Sequence, residues 1–154
     1  MIRALKRNPS RSAPVDDGFT LIELLVVIII IGILAAVAIP IFLSQRSQAT
    51  DSAIKGDLRI MAEFQETYYT SEFSYGTVPQ LIADGSDVRA SPTVTIRVLH
   101  YDDESFCLEG ESTQSNELWY YDNAGGGLQD KGSAGCPVTT GSTAGGQISN
   151  GGPP

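Results

Sequence analysis

The sequence predicts an α+β fold in which one long N-terminal helix packs on a small antiparallel β-sheet. Three observations carry this prediction. Residues 24–39 form an apolar run without a charged or polar side chain, an amphipathic stripe follows, and β-branched residues then concentrate in short segments. A chain of 154 residues has room for the hydrophobic segment and one compact domain.

The apolar run is long enough to cross a membrane. With Ile41, Phe42 and Leu43 it reaches about 20 apolar positions, which a helix needs to cross a hydrocarbon core of about 30 Å. Glu23 stands at its front edge, where an ionised carboxylate that faces lipid costs about 3 kcal/mol. We therefore expect residues 19–43 to span the cytoplasmic membrane and Glu23 to have a partner.

A short basic leader precedes this run. Residues 1–18 end in Gly18 and contain four basic side chains, Arg3, Lys6, Arg7 and Arg11. In a secretory signal the apolar region lies before the cleavage site, whereas here it lies behind the leader. Cleavage between Gly18 and Phe19 would leave the apolar segment on the mature chain. The basic leader is expected on the cytoplasmic side, and the domain outside.

The amphipathic half of the helix is expected to cover residues 44–70. Its stripe follows steps of four and three and comprises Ile54, Leu58, Met61, Gln65 and Tyr68, with Phe64 beside it. Charged residues, Asp57 among them, are expected to supply polar surroundings. Pro40 lacks a backbone donor and predicts a kink or a melted turn over residues 36–40. The stripe needs a folded head to cover it, which we expect over residues 71–137.

The head is expected to contain three short strands. They cover residues 93–101, 105–111 and 118–122, with an acidic turn at 102–104. Residues 71–92 predict an irregular connection with one short turn at Val78–Ala83. Residues 138–154 are rich in Gly, Ser and Thr and predict a mobile or loosely attached tail, whose composition would suit O-glycosylation.

The two cysteines predict a disulfide. Cys107 and Cys136 enclose 28 residues, and an even number of cysteines in an exported chain favours pairing. The bond would stabilise the head by about 3–4 kcal/mol. Without a nearby histidine the pair is a poor zinc site. A calcium site is one interpretation of a group of acidic residues, Asp102, Asp103, Glu104, Asp122 and Asp130. These residues do not form an EF-hand pattern, which favours the alternative of an ordinary solvated turn. No metal or cofactor is expected.

Charge and residue pattern argue against several functions. The net charge is −8 and becomes −10 without the leader, which makes direct nucleic-acid binding unexpected. The only histidine, His100, lies at a strand end without a serine or cysteine constellation, so we do not expect an enzyme. The triplet of glycines at 125–127 lacks the Lys-Ser/Thr ending of a phosphate loop and predicts a flexible turn.

One motif carries a family resemblance. Residues 18–23 read Gly-Phe-Thr-Leu-Ile-Glu, Leu-Leu-Val-Val follows, and Pro40 lies near the end of the run. This resembles the class III signal of type IV pilins and pseudopilins, closely over residues 18–50. It implies a pilin-like fold, cleavage after Gly18 by prepilin peptidase, N-methylation of Phe19 and an assembly role for Glu23. In that family the glutamate is thought to meet the amine of a neighbouring subunit. An intramolecular pair and a plain acid in the first helical turn are the alternatives.

The resemblance also implies a function. It indicates a structural subunit of a type IV pilus, a surface homopolymer that serves adhesion, motility or DNA uptake. The implied partners are other pilin subunits, prepilin peptidase, the assembly platform with its ATPase, and membrane lipid before assembly. The loop between Cys107 and Cys136 is similar to the C-terminal disulfide loop of many pilins. The alternatives are a minor pilin or a pseudopilin of a type II secretion or competence system, and a membrane-anchored binding domain that never polymerises.

Overall fold

The computed structural model describes residues 18–131, 133–136 and 145–149. The chain divides into two compact units, Met1–Pro40 and Ile41–Pro154. The longest element, helix α1 (Leu21–Glu72), contributes residues to both. Residues 1–17 of the expected leader lie outside the described residues, as do 137–144 and 150–154 of the C-terminal region.

In the first unit, the described residues consist of Gly18, Phe19 and Thr20 followed by the beginning of α1. This part of the helix is apolar on all sides and has no polar face. Its apolar side chains are exposed. The helix continues through Pro40 without interruption, so the alternative of a melted turn over 36–40 is wrong. The kink stays a prediction.

In the second unit, α1 buries one face. Ile54, Leu58, Met61 and Gln65 are at most 1% exposed, which confirms the stripe that their spacing predicts. Tyr68 is only partly buried at the edge of the same core.

Asp57 is buried as well, against the expectation that it belongs to the polar surroundings. Its carboxylate accepts two hydrogen bonds from Ser91: the backbone N–H donates to Oδ2 at 2.6 Å and the hydroxyl to Oδ1 at 2.9 Å. A buried carboxylate needs such donors to offset its desolvation. Asp57 therefore ties the helix to the loop before the sheet.

Among the described residues, the sheet has five antiparallel strands in the order β4-β3-β2-β1-β5. They are β1 (Val94–Tyr101), β2 (Phe106–Ser112), β3 (Ser115–Asp122), β4 (Gly127–Leu128) and β5 (Gln147–Ser149). The three predicted strands are confirmed, with β3 starting three residues earlier than expected. Along β1, buried and partly exposed residues alternate, and Val94, Ile96 and Val98 face the core.

The helix approaches the sheet closely at Gly110 in β2. A Cβ atom at this position would lie 2.5 Å from Ile54 Cγ2, and 3.2 Å from Leu58 Cδ1. Glycine is therefore required here by the contact of α1 with β2.

The connection after α1 is more ordered than expected. The predicted turn is a short helix, α2 (Val78–Ala83), which Thr77 and Gln80 cap reciprocally. Gln65 in α1 holds the chain just before it: its Nε2 donates to the Gly76 carbonyl at 2.7 Å, and the Gly76 N–H donates to its Oε1 at 2.9 Å. The Gln65 amide thus meets both backbone hydrogen-bonding needs of one loop residue.

The prediction of a loose tail is wrong for residues 145–149. Strand β5 pairs with β1, and Ile148 is 3% exposed in the core. Just before the strand, the Gly145 N–H donates to the Val98 carbonyl at 2.8 Å, and the Val98 N–H donates to the Gly146 carbonyl at 3.0 Å. One apolar residue and backbone pairing suffice to fix this short segment, although its composition is typical of flexible chains.

Candidate functional site

The expected cleavage site lies ahead of the helix. Gly18 and Phe19 have no regular secondary structure, and Phe19 is 90% exposed. A Cβ atom on Gly18 would meet nothing within 4 Å. The peptide bond between the two residues is therefore in an exposed, non-helical segment, and a protease can bind such a segment in an extended form.

Glu23 takes part in a capping box at the start of α1. Its Oε2 accepts hydrogen bonds from the Thr20 N–H at 3.0 Å and from the Thr20 hydroxyl at 2.9 Å. In return, the Glu23 N–H donates to Thr20 Oγ1 at 3.2 Å. The role of Thr20 was not predicted, although the spacing Thr-x-x-Glu before an apolar run is a recognised cap signal.

This geometry places the Glu23 carboxylate at the N-terminal end of α1, next to Thr20. The N–H that it accepts from belongs to Thr20, the residue directly after Phe19. If Phe19 became the terminal residue, its cationic amine would lie one residue from that N–H. The carboxylate is then placed to attract an amine of its own chain or of another copy, and it also satisfies the helix terminus.

The apolar surface behind this cap is extensive. Large apolar side chains from Leu21 to Leu43 are 47–89% exposed. Among the described residues, α1 is the one helix that is long and apolar enough to cross a membrane. So much apolar surface requires a lipid or protein environment.

Cys107 and Cys136 are joined in a disulfide. Cys107 is buried in β2, at 2% exposure, and Cys136 follows the last strand of the hairpin β3–β4. The bond attaches the segment before residue 137 to the centre of the sheet.

The surroundings of His100 differ from expectation, because a serine does lie beside it. The His100 Nε2 atom lies 3.2 Å from Ser105 Oγ and 3.0 Å from Asp102 Oδ2. In a Ser-His-Asp triad the serine and the acid bind different ring nitrogens, whereas here both contact the same one. The cluster thus fastens the turn between β1 and β2 and does not have the geometry of a triad.

The acidic turn at 102–104 is organised by its own backbone. The N–H groups of Glu104 and Ser105 donate to Asp102 Oδ1 at 2.8 and 2.7 Å. These bonds, that of Glu104 first, and the nearby His100 hold the pKa of Asp102 below its ordinary value. Among the described residues, no three His, Cys, Asp or Glu side chains come together in a way that could hold a metal ion.

Known proteins share the N-terminal motif and the apolar segment of this chain. Residues 16–39 match the model of a prokaryotic N-terminal methylation motif. The chain is 40% identical over 92 residues to the type IV wide pilus major component of Thermus thermophilus, over 59% of this chain and 70% of that protein.

Two further relatives match over shorter stretches. Core protein G of the type II secretion system of Pseudomonas aeruginosa is 41% identical over 65 residues, 42% of this chain and 46% of that protein. The type IV major pilin of Myxococcus xanthus is 41% identical over 66 residues, 43% of this chain and 30% of that protein. The chain therefore spans less than half of these two. The cap at Glu23, the exposed apolar helix and the match to 70% of a pilus component lead to one conclusion: this chain belongs to the family of type IV pilins and pseudopilins.

Proposed function

We propose that this chain is the structural subunit of a type IV pilus. The observation that carries the proposal is the contrast within α1, whose first part exposes apolar side chains all round while its second part is covered by a folded head. Such a chain is suited to two environments, lipid before assembly and a bundle of neighbouring helices afterwards. The match to 70% of a protein named as a pilus component supports the same proposal.

Maturation begins with removal of residues 1–18. The exposed segment at Gly18 and Phe19 suits a membrane-embedded prepilin peptidase, which then methylates the amine of Phe19. Residues 19–43 remain as the membrane anchor, residues 44–70 continue as the amphipathic half, and the head stays outside. The positive charge of the leader supports its cytoplasmic position.

Assembly exchanges one apolar environment for another. Side chains that lipid covers in the monomer are covered by other helices in the fibre, so little apolar surface meets water at either stage. Glu23 guides the incoming subunit when its carboxylate exchanges the Thr20 donors for the amine of a neighbour. The platform and ATPase of the assembly machinery drive the transfer.

A pseudopilin of a secretion system is the second candidate. The match to a core secretion protein at 41% identity favours it specifically. The two functions differ in what reaches the cell surface: a pilin accumulates in fibres that shear from cells, whereas a pseudopilin is needed for secretion and is scarce in sheared material. Fibre abundance therefore separates them.

The first experiment is intact-mass and N-terminal analysis of protein from sheared surface material. A chain that begins at methylated Phe19 in abundant fibres supports processing and polymerisation together. Recovery of only the uncut chain, confined to membranes, would instead favour an anchored domain that never polymerises.

A pair of substitutions separates the two roles of Glu23. Glu23→Ala removes both the charge and the cap, whereas Glu23→Gln keeps an acceptor for the Thr20 N–H and loses only the charge. We expect both variants to be cleaved after Gly18 and to give few fibres. Normal fibre yield from Glu23→Gln would show that capping alone is needed and would contradict the charge-pairing role.

A further inference from the structure

The basic residues of the head differ in their partners. Carboxylates pair with Arg89, Arg97 and Lys131, and Lys55 lies 3.7 Å above the ring centroid of Trp119. Within the described part of the chain, two arginines, Arg46 and Arg59, form no ion pair. Arg59 lines a groove together with two carboxylates, Glu63 and Glu66. The Nε atom of Arg46 instead donates to a neutral acceptor, Gln114 Oε1, at 3.3 Å. In a chain whose net charge is −10 without the leader, an arginine in such surroundings is conspicuous.

Arg46 lies where two grooves meet. Both grooves have a volume of about 320 Å³, and both are lined by Arg46 and Gln114. No Asp or Glu is among the described residues that line them. The nearby acid Asp51 is engaged elsewhere, since its Oδ1 accepts a hydrogen bond from the Ser115 hydroxyl at 3.0 Å. The guanidinium of Arg46 therefore lines open grooves that lack a negative charge.

The opposite end of the sheet carries the complementary charge. Val94, at the beginning of β1, lines one of the grooves, and the acidic turn follows Tyr101 at the other end of the strand. Eight residues of β-strand separate the two ends by about 25 Å. Asp103 and Glu104 are exposed there, and among the described residues their carboxylates have no hydrogen-bond donor or cation.

We propose that Arg46 of one copy of this chain binds the carboxylates of Asp103 and Glu104 of a second copy. The proposal rests on the proposed function, because it supplies a contact between heads in the fibre. Its carrying observation is charge complementarity between two sites at opposite ends of one sheet. A contact between two different sites is heterologous. Each bound pair of copies still has one unoccupied Arg46 site and one unoccupied acidic turn, so further copies can add and form an open polymer.

Gln114 acts as the positioning residue in this contact. Its own N–H donates to Ser112 Oγ at 3.2 Å, which fixes the turn that carries it. The bond from Arg46 then holds the guanidinium at the mouth of the grooves and limits the side-chain entropy lost when a carboxylate binds.

Charge reversal tests the proposal in cells that assemble the full-length wild-type chain. We expect Arg46→Glu to lower the yield of sheared fibres by about 3-fold or more, as does the double variant Asp103→Arg, Glu104→Arg. Combining all three substitutions restores the opposite charges and should recover the yield. Arg59→Glu is the matched control, because it makes the same charge change on α1 away from these grooves and should leave the yield unchanged.

The outcomes distinguish this inference from the proposed function. If the wild-type chain forms no fibres, the proposed function itself fails. If wild-type fibres form and Arg46→Glu gives the same yield, the contact is overturned. Loss of membrane retention alone in Arg46→Glu also overturns the contact, since Arg46 would then bind a lipid phosphate. A combined variant no better than its parents overturns the pairing as well.

Cross-linking tests the geometry independently of yield. Thr113→Cys, at an exposed residue that lines one of the grooves beside Arg46, and Glu104→Cys are introduced together, so that Arg46 and Asp103 remain. Fibres are then treated with a short bifunctional thiol reagent. Both native cysteines are in the disulfide and do not compete. A ladder of multimers from the double variant, with no ladder from either single variant, supports the heterologous contact. Products that stop at dimers, or no products, contradict it.

Discussion

The two parts of α1 have the same secondary structure and opposite surroundings. Leu34, in the first unit, is 64% exposed, whereas Leu58, in the second, is fully buried. The second part needs apolar residues on one face only, because the sheet covers that face. The first part is apolar on every face, and no described residue covers it. Complete burial of a leucine is worth about 1.5–3 kcal/mol, so the first part must obtain its stabilisation from lipid or from other copies.

The largest expected effect comes from the same substitution at Leu58 and at Leu34. Leu58→Ala should lower the free energy of unfolding of the head by about 2–5 kcal/mol, because it opens a cavity between α1 and the sheet. Leu34→Ala should leave that free energy unchanged. Denaturant unfolding of the detergent-solubilised chain, followed by fluorescence of the only tryptophan, Trp119, measures both. Equal losses would show that the two parts of the helix unfold together.

The disulfide should affect the head alone. Cys107→Ala with Cys136→Ala is expected to lower its free energy of unfolding by about 3–4 kcal/mol, since a loop of 28 residues is no longer closed in the unfolded chain. Reduction of the wild-type bond should give a similar loss. Helicity of the apolar segment should stay the same, and circular dichroism in detergent checks it. A change there would contradict the division into two units.

The capping boxes at Thr20 and Thr77 allow a finer comparison, because these threonines play the same part in different units. Thr77→Ala should cost the head about 1 kcal/mol. Thr20→Ala should leave the stability of the head unchanged and should increase amide hydrogen exchange at the beginning of α1. Faster exchange in the head of Thr20→Ala would contradict this separation.

The smallest effect concerns pH and belongs to the head. Arg97 donates hydrogen bonds to Glu109 and Glu111, and its bond to Glu111 is the main cause that holds the pKa of Glu111 below the ordinary value of 4.5. A lowered pKa in the folded state stabilises the fold above the ordinary value, and this contribution disappears as the pH falls through the folded pKa. The side chains of Arg97 and Glu111 are about a third exposed, so we expect less than about 1 kcal/mol.

Thermal unfolding between pH 7 and pH 3 measures this contribution. Glu111→Gln should lose less stability on acidification than the wild-type chain does, because it lacks the titrating group. An identical pH dependence of the two proteins would show that the pair with Arg97 contributes nothing.

Local patterns account for the elements that were predicted correctly. The stripe through Leu58 and the alternation in β1 each belong to an element with one buried face. In the sequence, apolar residues on such a face recur with a period of 3.6 residues in a helix and 2 residues in a strand. Strand β5 was not predicted, because its three residues contain only one inward position, Ile148. Strand β4 has two residues and no periodicity at all.

Some parts of the candidate site could be predicted from the sequence and others could not. The motif at residues 18–23 is contiguous, so its residues were recognised together, and the cap by Thr20 was also readable from its spacing. The contact of Ser105 with His100 depends on how the turn at 102–104 folds. The grooves at Arg46 depend on a residue 68 positions away, Gln114, which no local pattern connects to it.

By itself, the sequence determined the apolar segment, the one-sided continuation of its helix and the three main strands. Each of these follows from interactions between near neighbours along the chain, or from the solvent that one face must meet. Only the tertiary structure decided that Asp57 is buried against Ser91, that Ile148 completes the core and that Arg46 lines a groove without a carboxylate among the described residues. These facts depend on which distant residues come into contact, because burial and charge pairing are properties of the packed chain.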